Sequence, residues 1–565
     1  MSQPKAPKDA EIKRKGFYIM RNKQVAASVQ PDGRGTQFIY LSDGRIESSA
    51  RITGNITDEE MLVLLKTAEG FRKLVHSIGI TIETDNGDEQ VGFVLQMYGK
   101  TDPYVSGTSL KKTVRADGME YILALADCDW SDDDNITGQI RFEFEQPDRE
   151  AVVSVKLYLN DGYDAPEPES EDSIDMTSQA YQSMIQKSLV QTGNNVRLKR
   201  AIDKARIGKE VTIAFIGGSI TQGAGAIPIN TQCYARKTFE GLCRLVGKGV
   251  EENIHYVKAG VGGTPSELGM LRYERDVLRN GSVTPDIVIV EFAVNDAGDE
   301  TNGRCYDSLV RTIYEGPGNP AVILLFSVFA DDYNLQDRLM PVGTAYQLPM
   351  VSVKNSVTGQ FYLKKETGRV VSKAQYFYDC FHPTNVGHTI MADCVIHLMK
   401  VADESSYDEA ENDISVIKPP IGGEFQNIRL IDRSQCKDAA QICAGDFQDT
   451  DTELQAVEMD MDLAPTAEFP YNWCHRTGMN PFVMDMNCST LVMIFKDNAS
   501  PKTGCAEVYA DGELVLRADP HINGWIHCNA LICFEGKERK MHHVEVKMAE
   551  GDENKDFTIL GFGCL

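Results

Sequence analysis

Three continuous apolar runs in the middle of the chain constrain its fold most strongly. They are VTIAFI (211–216), DIVIVEFAV (286–294) and AVILLFSVFA (321–330), and such runs are typical of strands buried on both faces. Helical patterns lie between them, at YARKTFEGLCRLVG (234–247) and SELGMLRYERDVLRN (266–280). This alternation predicts a parallel sheet covered by helices, with its reactive crevice outside the C-terminal ends of the strands.

Two acidic stretches divide the rest of the chain. Residues 161–176 hold seven carboxylates and two prolines without a lysine or arginine, and residues 402–423 have the same character and end in Pro-Pro and Gly-Gly. Segments of this composition bury little apolar surface and are typical of linkers. The division predicts three domains, at residues 1–165, 178–402 and 424–565.

The two outer domains are rich in short β-like runs, several of which alternate apolar and polar residues. A helical insertion at 58–77 interrupts the first series, and ADGE (510–513) is a hairpin signal in the second. The two flanks are therefore predicted to be antiparallel β-sandwiches of the jelly-roll type. The runs are TQFIYL (36–41), GITIET (79–84), VGFVLQMYG (91–99), IRFEFEQ (140–146), AVVSVKLYL (151–159), STLVMIFK (489–496), CAEVYADGELVLRA (505–518), ALICFEG (530–536), HHVEVKM (542–548) and FTILGFG (557–563).

Charge and composition limit the classes of partner. The 565 residues carry a net charge of −26, which argues against nucleic acid or an anionic membrane as the main partner. The first twenty residues contain no signal-peptide core, and no apolar run is long enough to span a bilayer. The 14 cysteines are scattered and form no CxxC pair, which favours reduced thiols in a cytoplasmic protein over disulfides or a zinc site.

The first apolar run leads into a glycine-rich turn, IAFIGGSITQGAGA (213–226). This turn lacks the lysine of a phosphate-binding P-loop and the spacing of a dinucleotide fingerprint, and Thr221 replaces the last glycine of a GxSxG elbow. A lone serine after a strand is usually a helix cap, so Ser219 is a nucleophile only if other groups support it.

Two other strand ends supply candidate oxyanion donors. VKAGVGGTPSE (257–267) places Gly263 in a turn where its backbone N–H is unblocked by a side chain. EFAVNDAG (291–298) ends another buried strand with Asn295, whose amide is a further donor. Both segments are expected at the same rim of the sheet as Ser219.

A candidate base and acid lie in YDCFHPTNVGH (378–388). Asp379 stands three residues before His382, a spacing that lets the carboxylate hold the imidazole tautomer and stabilise the imidazolium. Asp379 as a helix cap and Asp296 as the true acid stay open as alternatives, although the position of Asp296 beside the donor amide favours a structural role. His388 is expected to be a packing residue.

Together these segments resemble the SGNH (GDSL-like) hydrolase superfamily over roughly residues 185–400. The resemblance rests on four ordered blocks, GGSIT, AGVGG, AVND and DCFHP. It implies a flavodoxin-like three-layer core and acyl-ester hydrolysis without metal or organic cofactor. By position it implies Ser219 as nucleophile and oxyanion donor, Gly263 and Asn295 as further oxyanion donors, His382 as base and Asp379 as the third triad member.

Flanking sandwiches on such a core are similar to the arrangement in carbohydrate esterases, which predicts hydrolysis of O-acetyl esters of oligosaccharides. Trp473 and Trp525 are candidates for stacking on sugar faces, with packed core aromatics as the alternative. Two other functions stay open: a lipase or thioesterase for longer acyl chains, and a non-catalytic glycan-binding protein. A sandwich edge can also mediate self-association, which leaves a homodimer open.

Overall fold

The computed structural model describes residues 14–102, 104–167, 171–249, 252–296, 300–408, 410–436, 440–457 and 466–565. Residues 1–13, which make up most of the stretch used to predict the absence of a signal peptide, lie outside the described residues, as do parts of both acidic stretches. The chain forms two compact units. The first contains residues up to Met176 together with 360–387, and the second contains 177–359 and 388–565.

The first unit is built on two antiparallel sheets. One sheet has the order Gly16–Ala26, Glu150–Leu159, Val75–Glu83, Asp117–Ala124. The other has the order Ser28–Val29, Gly35–Tyr40, Asp134–Phe144, Gln90–Gly99, Ser109–Arg115. Apolar side chains of both sheets share one hydrophobic core, as the alternating runs in the sequence predict.

Helices complete the core of the first unit. Those of its N-terminal part are Arg45–Gly54, Glu59–Lys66, Ala68–Leu74 and the 3₁₀ turn Leu125–Asp127. The segment 360–387 contributes the 3₁₀ turn Lys365–Thr367 and the short helix Lys373–Tyr376.

The prediction of one continuous helix over 58–77 is wrong in two respects. The helix breaks at Thr67, whose backbone is extended and whose side chain accepts a hydrogen bond from the N–H of Gly70 at the start of the next helix. Residues from Val75 onward are already strand. A threonine that caps a new helix competes with continuation of the old one, which the apolar periodicity does not reveal.

The second unit contains the predicted parallel sheet. Its strands run in the order Leu189–Gln191, Met350–Ser352, Ala321–Phe326, Ile287–Glu291, Val211–Gly217, Ile254–Gly260. All neighbours pair in parallel except the first two, which are antiparallel. The five parallel strands have the spatial order 2-1-3-4-5, so the direction of winding reverses beside Val211–Gly217. Ligand crevices of open α/β sheets lie at this reversal.

Helices follow the strands along the chain, as the alternating pattern predicts. The helices are Gln179–Gln186, Val196–Arg206, Ser219–Gln222, Ile229–Gln232, Tyr234–Leu245, Ser266–Asp276, Arg304–Tyr314, Gln336–Ala345, Val353–Phe361 and Asn385–Glu404, with a 3₁₀ turn at Ile414–Val416. Val353–Phe361 and Asn385–Glu404 each cross the boundary between the two units.

The C-terminal part of the second unit is an antiparallel sheet. Its strands have the order Arg429–Ile431, Phe557–Cys564, Phe482–Asp497, His527–Met548, Ala506–Ala510, Glu513–Ala518. In addition, Ala440–Cys443 pairs with Phe482–Asp497, and Trp473–His475 pairs with Phe557–Cys564. Ala456–Val457 and Thr466–Ala467 form a separate pair. The hairpin at ADGE is confirmed, with positive φ angles at Asp511 and Gly512. The two runs expected as strands at 530–536 and 542–548 are parts of the single strand His527–Met548.

The parallel sheet and the C-terminal sheet share a hydrophobic core. Buried residues of both sheets, including Val288 and Leu324 on one side and Val492 and Leu560 on the other, belong to one continuous cluster. A mixed α/β architecture flanked by antiparallel sheets is thereby confirmed. Within the described part of the chain, no helix has the length and apolar character needed to cross a bilayer.

The cap at Thr67 provides a test of the broken helix. We expect Thr67→Ala to lower the free energy of unfolding by about 1 kcal/mol, because the N–H of Gly70 loses its acceptor. Thr67→Ser keeps the hydroxyl and should stay close to wild type. Thermal unfolding of the three proteins measures this, and equal midpoints for all three would contradict the capping role.

Candidate active site

Ser219 lies at the sharp turn that follows strand Val211–Gly217. It begins the short helix Ser219–Gln222 and is partly exposed. The glycine before it is required by close packing, because a β-carbon on Gly218 would lie 2.2 Å from Oδ1 of Asn295. The turn therefore leaves room for the Asn295 amide directly beside the residue that carries the hydroxyl.

Gly263 lies in the turn after strand Ile254–Gly260. Its φ angle is +71°, and a β-carbon there would lie 2.8 Å from the indole ring of Trp525. The same loop adjoins the serine turn, since a β-carbon on Gly262 would lie 3.9 Å from Cβ of Ser219. Only glycine fits Gly263 without strain or collision.

Asn295 and Asp296 follow strand Ile287–Glu291, and their side chains have different surroundings. The Asn295 side chain lies against Gly218, as described above. The Asp296 carboxylate is buried and accepts hydrogen bonds from the backbone N–H and the hydroxyl of Ser266, at 2.8 and 2.9 Å. Asp296 therefore anchors the N-terminus of helix Ser266–Asp276, in agreement with the structural role favoured by the sequence.

Arg272 binds the ends of two of these strands. Its side chain is fully buried, and its guanidinium donates to the carbonyl oxygens of Gly217 and Ala259, both at 2.8 Å. Asp276, one turn further along the same helix, balances the charge at 3.3 Å. Arg272 thus fixes the spacing between the strand that leads to Ser219 and the strand that leads to Gly263, a role that the helical pattern of the sequence does not reveal.

A buried network of polar side chains lies behind the serine turn. Thr221 donates a hydrogen bond to Oε2 of Glu291 at 3.2 Å and also bonds the Tyr234 hydroxyl at 2.8 Å, while Ser327 donates to Oε1 of Glu291. Burial raises the pKa of Glu291 to about 8, although the two hydroxyls partly offset the effect. A lone acidic residue inside an apolar strand is the sequence signal that points to this network.

Asp379 and His382 form a pair in the first unit. Oδ2 of Asp379 lies 2.9 Å from Nδ1 of His382, and Oδ1 accepts from the backbone N–H groups of Phe381 and His382, both at 2.8 Å. Burial alone would raise the pKa of Asp379, but the imidazole and the two N–H groups hold it well below its ordinary value. The ionised Asp379 carboxylate accepts a hydrogen bond from Nδ1 and so holds the His382 ring in one tautomer and orientation.

The N-terminal strand of the first unit supports the loop that carries this pair. The Lys23 ammonium lies 4.6 Å from the centre of the Tyr378 ring, and Gln24 accepts a hydrogen bond from Asn385 at 3.1 Å. Burial lowers the pKa of Lys23 to about 8, while the negative charge of Asp379 opposes this shift. This support of the Asp379 and His382 loop by the first domain was not predicted from the sequence. Nothing in residues 16–26 signals a partner some 350 positions away.

The two tryptophans proposed to stack on sugars have different environments. Trp473 is 2% exposed and packs against Phe482 and Phe562 in the core of the C-terminal sheet, so its ring offers no face to a sugar. For Trp473 the structure favours the alternative of a packed aromatic. Trp525 is 46% exposed and lies against Gly263 and the ring of His527.

His388 occupies a packing position, as expected. Its ring is fully buried, with Nδ1 accepting the backbone N–H of Tyr234 at 3.2 Å and Nε2 donating to the carbonyl of Ala224 at 3.1 Å. It thereby ties the loop after the serine helix to helix Tyr234–Leu245.

A group with metal-ligand chemistry occurs in the C-terminal sheet. Ligand atoms of Cys505, Asp519 and His521 lie within 4.8 Å of one another. Both ring nitrogens of His521 already have protein partners: Nδ1 lies 2.7 Å from Asp519, and Nε2 lies 3.1 Å from the carbonyl and 3.3 Å from the hydroxyl of Thr503.

The second unit therefore brings together Ser219, Gly263 and Asn295 at the C-terminal ends of three adjacent parallel strands. The segment that contains these three residues also matches a known family: residues 215–390 match the GDSL-like Lipase/Acylhydrolase family. This part of the chain is a GDSL-like acylhydrolase domain. The protein is accordingly a carboxylic ester hydrolase.

Two solved structures of a carbohydrate esterase are similar to this chain. A two-domain esterase (CEX) active on acetylated mannans is 25% identical, with a TM-score of 0.58 over 67% of this chain and 98% of that chain. The same type of esterase co-crystallised with mannopentaose is 25% identical, with a TM-score of 0.56 over 67% of this chain and 97% of that chain. No curated protein sequence matches this chain significantly. The two-domain enzyme is thus covered almost completely, while the rest of this chain has no counterpart in it.

The buried Glu291 predicts a specific pH dependence of stability. Its pKa is about 8 in the folded protein and ordinarily 4.5, so between these values the folded state binds more protons than the unfolded state. The stability contributed by this group therefore falls as the pH rises from 4.5 to 8. Glu291→Gln cannot titrate, and we expect its stability relative to wild type to increase steadily from pH 5 to pH 8.

Unfolding midpoints at four pH values measure this difference. The exposed Glu513→Gln is the matched control and should run parallel to wild type. Parallel profiles for wild type and Glu291→Gln would show that the buried carboxyl does not keep its proton in the folded state.

Proposed function

We propose that this ester hydrolase removes O-acetyl groups from acetylated manno-oligosaccharides by a serine mechanism. The observation that carries the mechanism is the convergence of the Ser219 turn, the Gly263 loop and the Asn295 side chain at adjacent strand ends. The substrate class rests on the similarity to the two-domain esterase active on acetylated mannans.

In the proposed reaction, His382 takes the proton from the Ser219 hydroxyl as the oxygen attacks the acetyl carbonyl carbon. The carbonyl oxygen becomes an oxyanion and accepts hydrogen bonds from the N–H groups of Ser219 and Gly263 and from the Asn295 amide. The position of the Asn295 side chain against Gly218, next to Ser219, supports its assignment as a donor.

The second half of the reaction returns the proton. Collapse of the tetrahedral intermediate breaks the bond to the sugar oxygen, which takes the proton from the imidazolium of His382, and Asp379 stabilises that imidazolium. Water then gives a proton to His382 as its oxygen attacks the carbonyl carbon of the acetyl-enzyme. The bond to the Ser219 oxygen breaks, that oxygen takes the proton back from His382, and acetic acid is released. The low pKa of Asp379 supports this assignment, because the carboxylate stays ionised while the imidazole gains a proton.

We also propose that the parallel sheet belongs to a flavodoxin-like three-layer core of the SGNH type, within a catalytic domain at 178–402. The 2-1-3-4-5 strand order supports this, since it is the order of flavodoxin-like sheets and places the reversal beside the strand that leads to Ser219. Antiparallel sandwiches at 1–165 and 424–565 complete the proposed architecture.

Three substitutions test the catalytic assignment. Ser219→Ala should lower kcat/KM for an acetylated manno-oligosaccharide at least about a thousandfold, because the nucleophile is lost. His382→Ala should have a similar effect and should also slow fluorophosphonate labelling of Ser219. Asn295→Ala should lower kcat about a hundredfold or more, because one oxyanion donor is lost.

The exposed Ser282→Ala is the control and should behave as wild type. Full activity of Ser219→Ala would eliminate the proposed mechanism. Preference for decanoyl over acetyl esters would instead favour the lipase alternative, and an unlabelled wild-type protein that binds glycan would favour the binding-protein alternative.

Within this function, Trp525 is proposed as a sugar-stacking residue beside the reacting ester. Its exposed ring packs against Gly263, which places an aromatic face next to the proposed oxyanion donor. Aromatic faces bind the apolar faces of sugar rings, so the position suits the residue that bears or neighbours the acetyl group.

Trp525→Ala should lower kcat/KM for acetylated mannopentaose about tenfold, mainly through KM, because the stacking surface is lost. The kcat for p-nitrophenyl acetate should change little, and Trp525→Phe should restore most of the loss. Equal losses on both substrates would show that Trp525 supports the Gly263 loop rather than the sugar.

A further inference from the structure

We propose that Gln455, in the C-terminal part of the chain, is a positioning residue that orients the oxyanion-donating N–H of Gly263. The inference rests on the proposed function, because it takes Gly263 as an oxyanion donor. If Gln455 has this role, the C-terminal part of the chain helps to orient a donor that acts in the catalytic step.

The Gln455 side chain forms a bridge with both ends occupied. Its Nε2 donates to the carbonyl oxygen of Gly262 at 2.8 Å, and its Oε1 accepts the backbone N–H of Cys528 at 3.2 Å. Cys528 is buried in strand His527–Met548, within the core shared by the two sheets. The bridge therefore runs from a rigid strand of the C-terminal sheet to the loop beside Ser219.

The bonded carbonyl is part of the peptide group that supplies the proposed donor. A peptide bond is planar and trans, so the oxygen of Gly262 and the hydrogen of Gly263 lie in one plane and point in opposite directions. A hydrogen bond to the oxygen fixes the direction of the N–H and also polarises it. Among the described residues, no protein acceptor takes the N–H of the exposed Gly263, so this donor is available to an oxyanion.

This peptide group needs an external anchor. Glycine on both sides gives the backbone wide freedom of rotation, and Gly262 and Gly263 carry no side chain that packing could hold. Donors of an oxyanion hole stabilise the transition state only when they are oriented before the charge develops. Gln455 supplies that orientation from outside the loop.

The backbone of Gln455 is held in place as well. Its carbonyl accepts the N–H of Glu468 at 2.7 Å, and the carbonyl of Glu468 accepts a hydrogen bond from Arg275 at 2.7 Å. Arg275 lies on helix Ser266–Asp276, which begins directly after the Gly263 loop. The anchor and the loop are thus attached to the same helix, which fixes the distance between them.

The C-terminal sheet contacts the peptide group at a second place. A β-carbon on Gly263 would lie 2.8 Å from Trp525 and 3.2 Å from Cε1 of His527. Burial lowers the pKa of His527 to about 4, so its ring is uncharged at neutral pH and contacts the loop only by packing. Gln455 on the carbonyl and the buried His527 ring beside the α-carbon together restrict rotation of the peptide.

Two variants separate the donor function of Gln455 from its packing. Gln455→Met keeps the length and removes both hydrogen bonds. Gln455→Glu keeps an acceptor for the Cys528 N–H but places an oxygen against the Gly262 carbonyl. We expect kcat for p-nitrophenyl acetate to fall about tenfold in Gln455→Met and at least as far in Gln455→Glu, with KM changed less than about twofold.

Gln448→Met is the matched control. Gln448 also donates from its side-chain amide to a glycine carbonyl at 2.8 Å, that of Gly445, in a turn of the same C-terminal part. Its kcat, KM and unfolding midpoint should equal those of wild type. Unfolding midpoints of the two Gln455 variants within a few degrees of wild type would show that the loss of kcat is not a loss of fold.

A kcat within about twofold of wild type in both Gln455 variants, or a loss confined to KM, would overturn the inference. The proposed function is tested separately by Ser219→Ala and fluorophosphonate labelling in the same assay. An inactive Ser219→Ala with fully active Gln455 variants would remove only the positioning role. An active Ser219→Ala would remove the proposed function itself.

Discussion

The buried guanidinium of Arg272 holds together the part of the structure on which the site depends. It spans the carbonyl ends of two neighbouring parallel strands at Gly217 and Ala259, and Asp276 balances its charge. A buried charge is tolerated only where its hydrogen bonds and counter-ion are in place, so this geometry is tightly specified. The Ser219 turn and the Gly263 loop begin within a few residues of these carbonyls. The hydrogen bonds of Arg272 therefore set the distance between the turn and the loop.

Close approach of backbone is the second constraint at the same place. The Asn295 amide occupies the space that a side chain at Gly218 would fill, and Trp525 occupies the corresponding space at Gly263. Glycine is therefore required at both positions because a neighbouring side chain occupies the space of a β-carbon, and not only because glycine is flexible. The carboxyl of Glu291, buried behind the turn and bonded by Thr221 and Ser327, completes a rigid support beneath the serine.

Each flanking region contacts, within its own unit, a segment that carries residues of the proposed mechanism. In the first unit, Lys23 and Gln24 of the N-terminal strand contact the loop that carries Asp379 and His382. In the second unit, Gln455 reaches the carbonyl of Gly262 from the C-terminal part. Both regions therefore contact neighbours of the residues proposed to act on the ester: Tyr378 beside Asp379, and Gly262 beside Gly263.

The elements that depend on a local pattern of residues could be predicted from the sequence alone. Continuous apolar runs identified the parallel strands, and Asp511-Gly512 specified a hairpin, because burial on both faces and positive φ angles each leave a direct mark on residue choice. The sequence pattern did not reveal the helix break at Thr67, where a cap competes with helix periodicity. For Trp473 it left both a sugar-stacking and a packed role open, because residue type alone does not show whether an aromatic ring is buried. The positions of Ser219, Gly263 and Asn295 were predictable because parallel strands end at one rim. Only the tertiary structure could reveal the supporting contacts of Arg272, Lys23 and Gln455, since a hydrogen bond or cation–π contact between distant segments requires no particular spacing in the sequence.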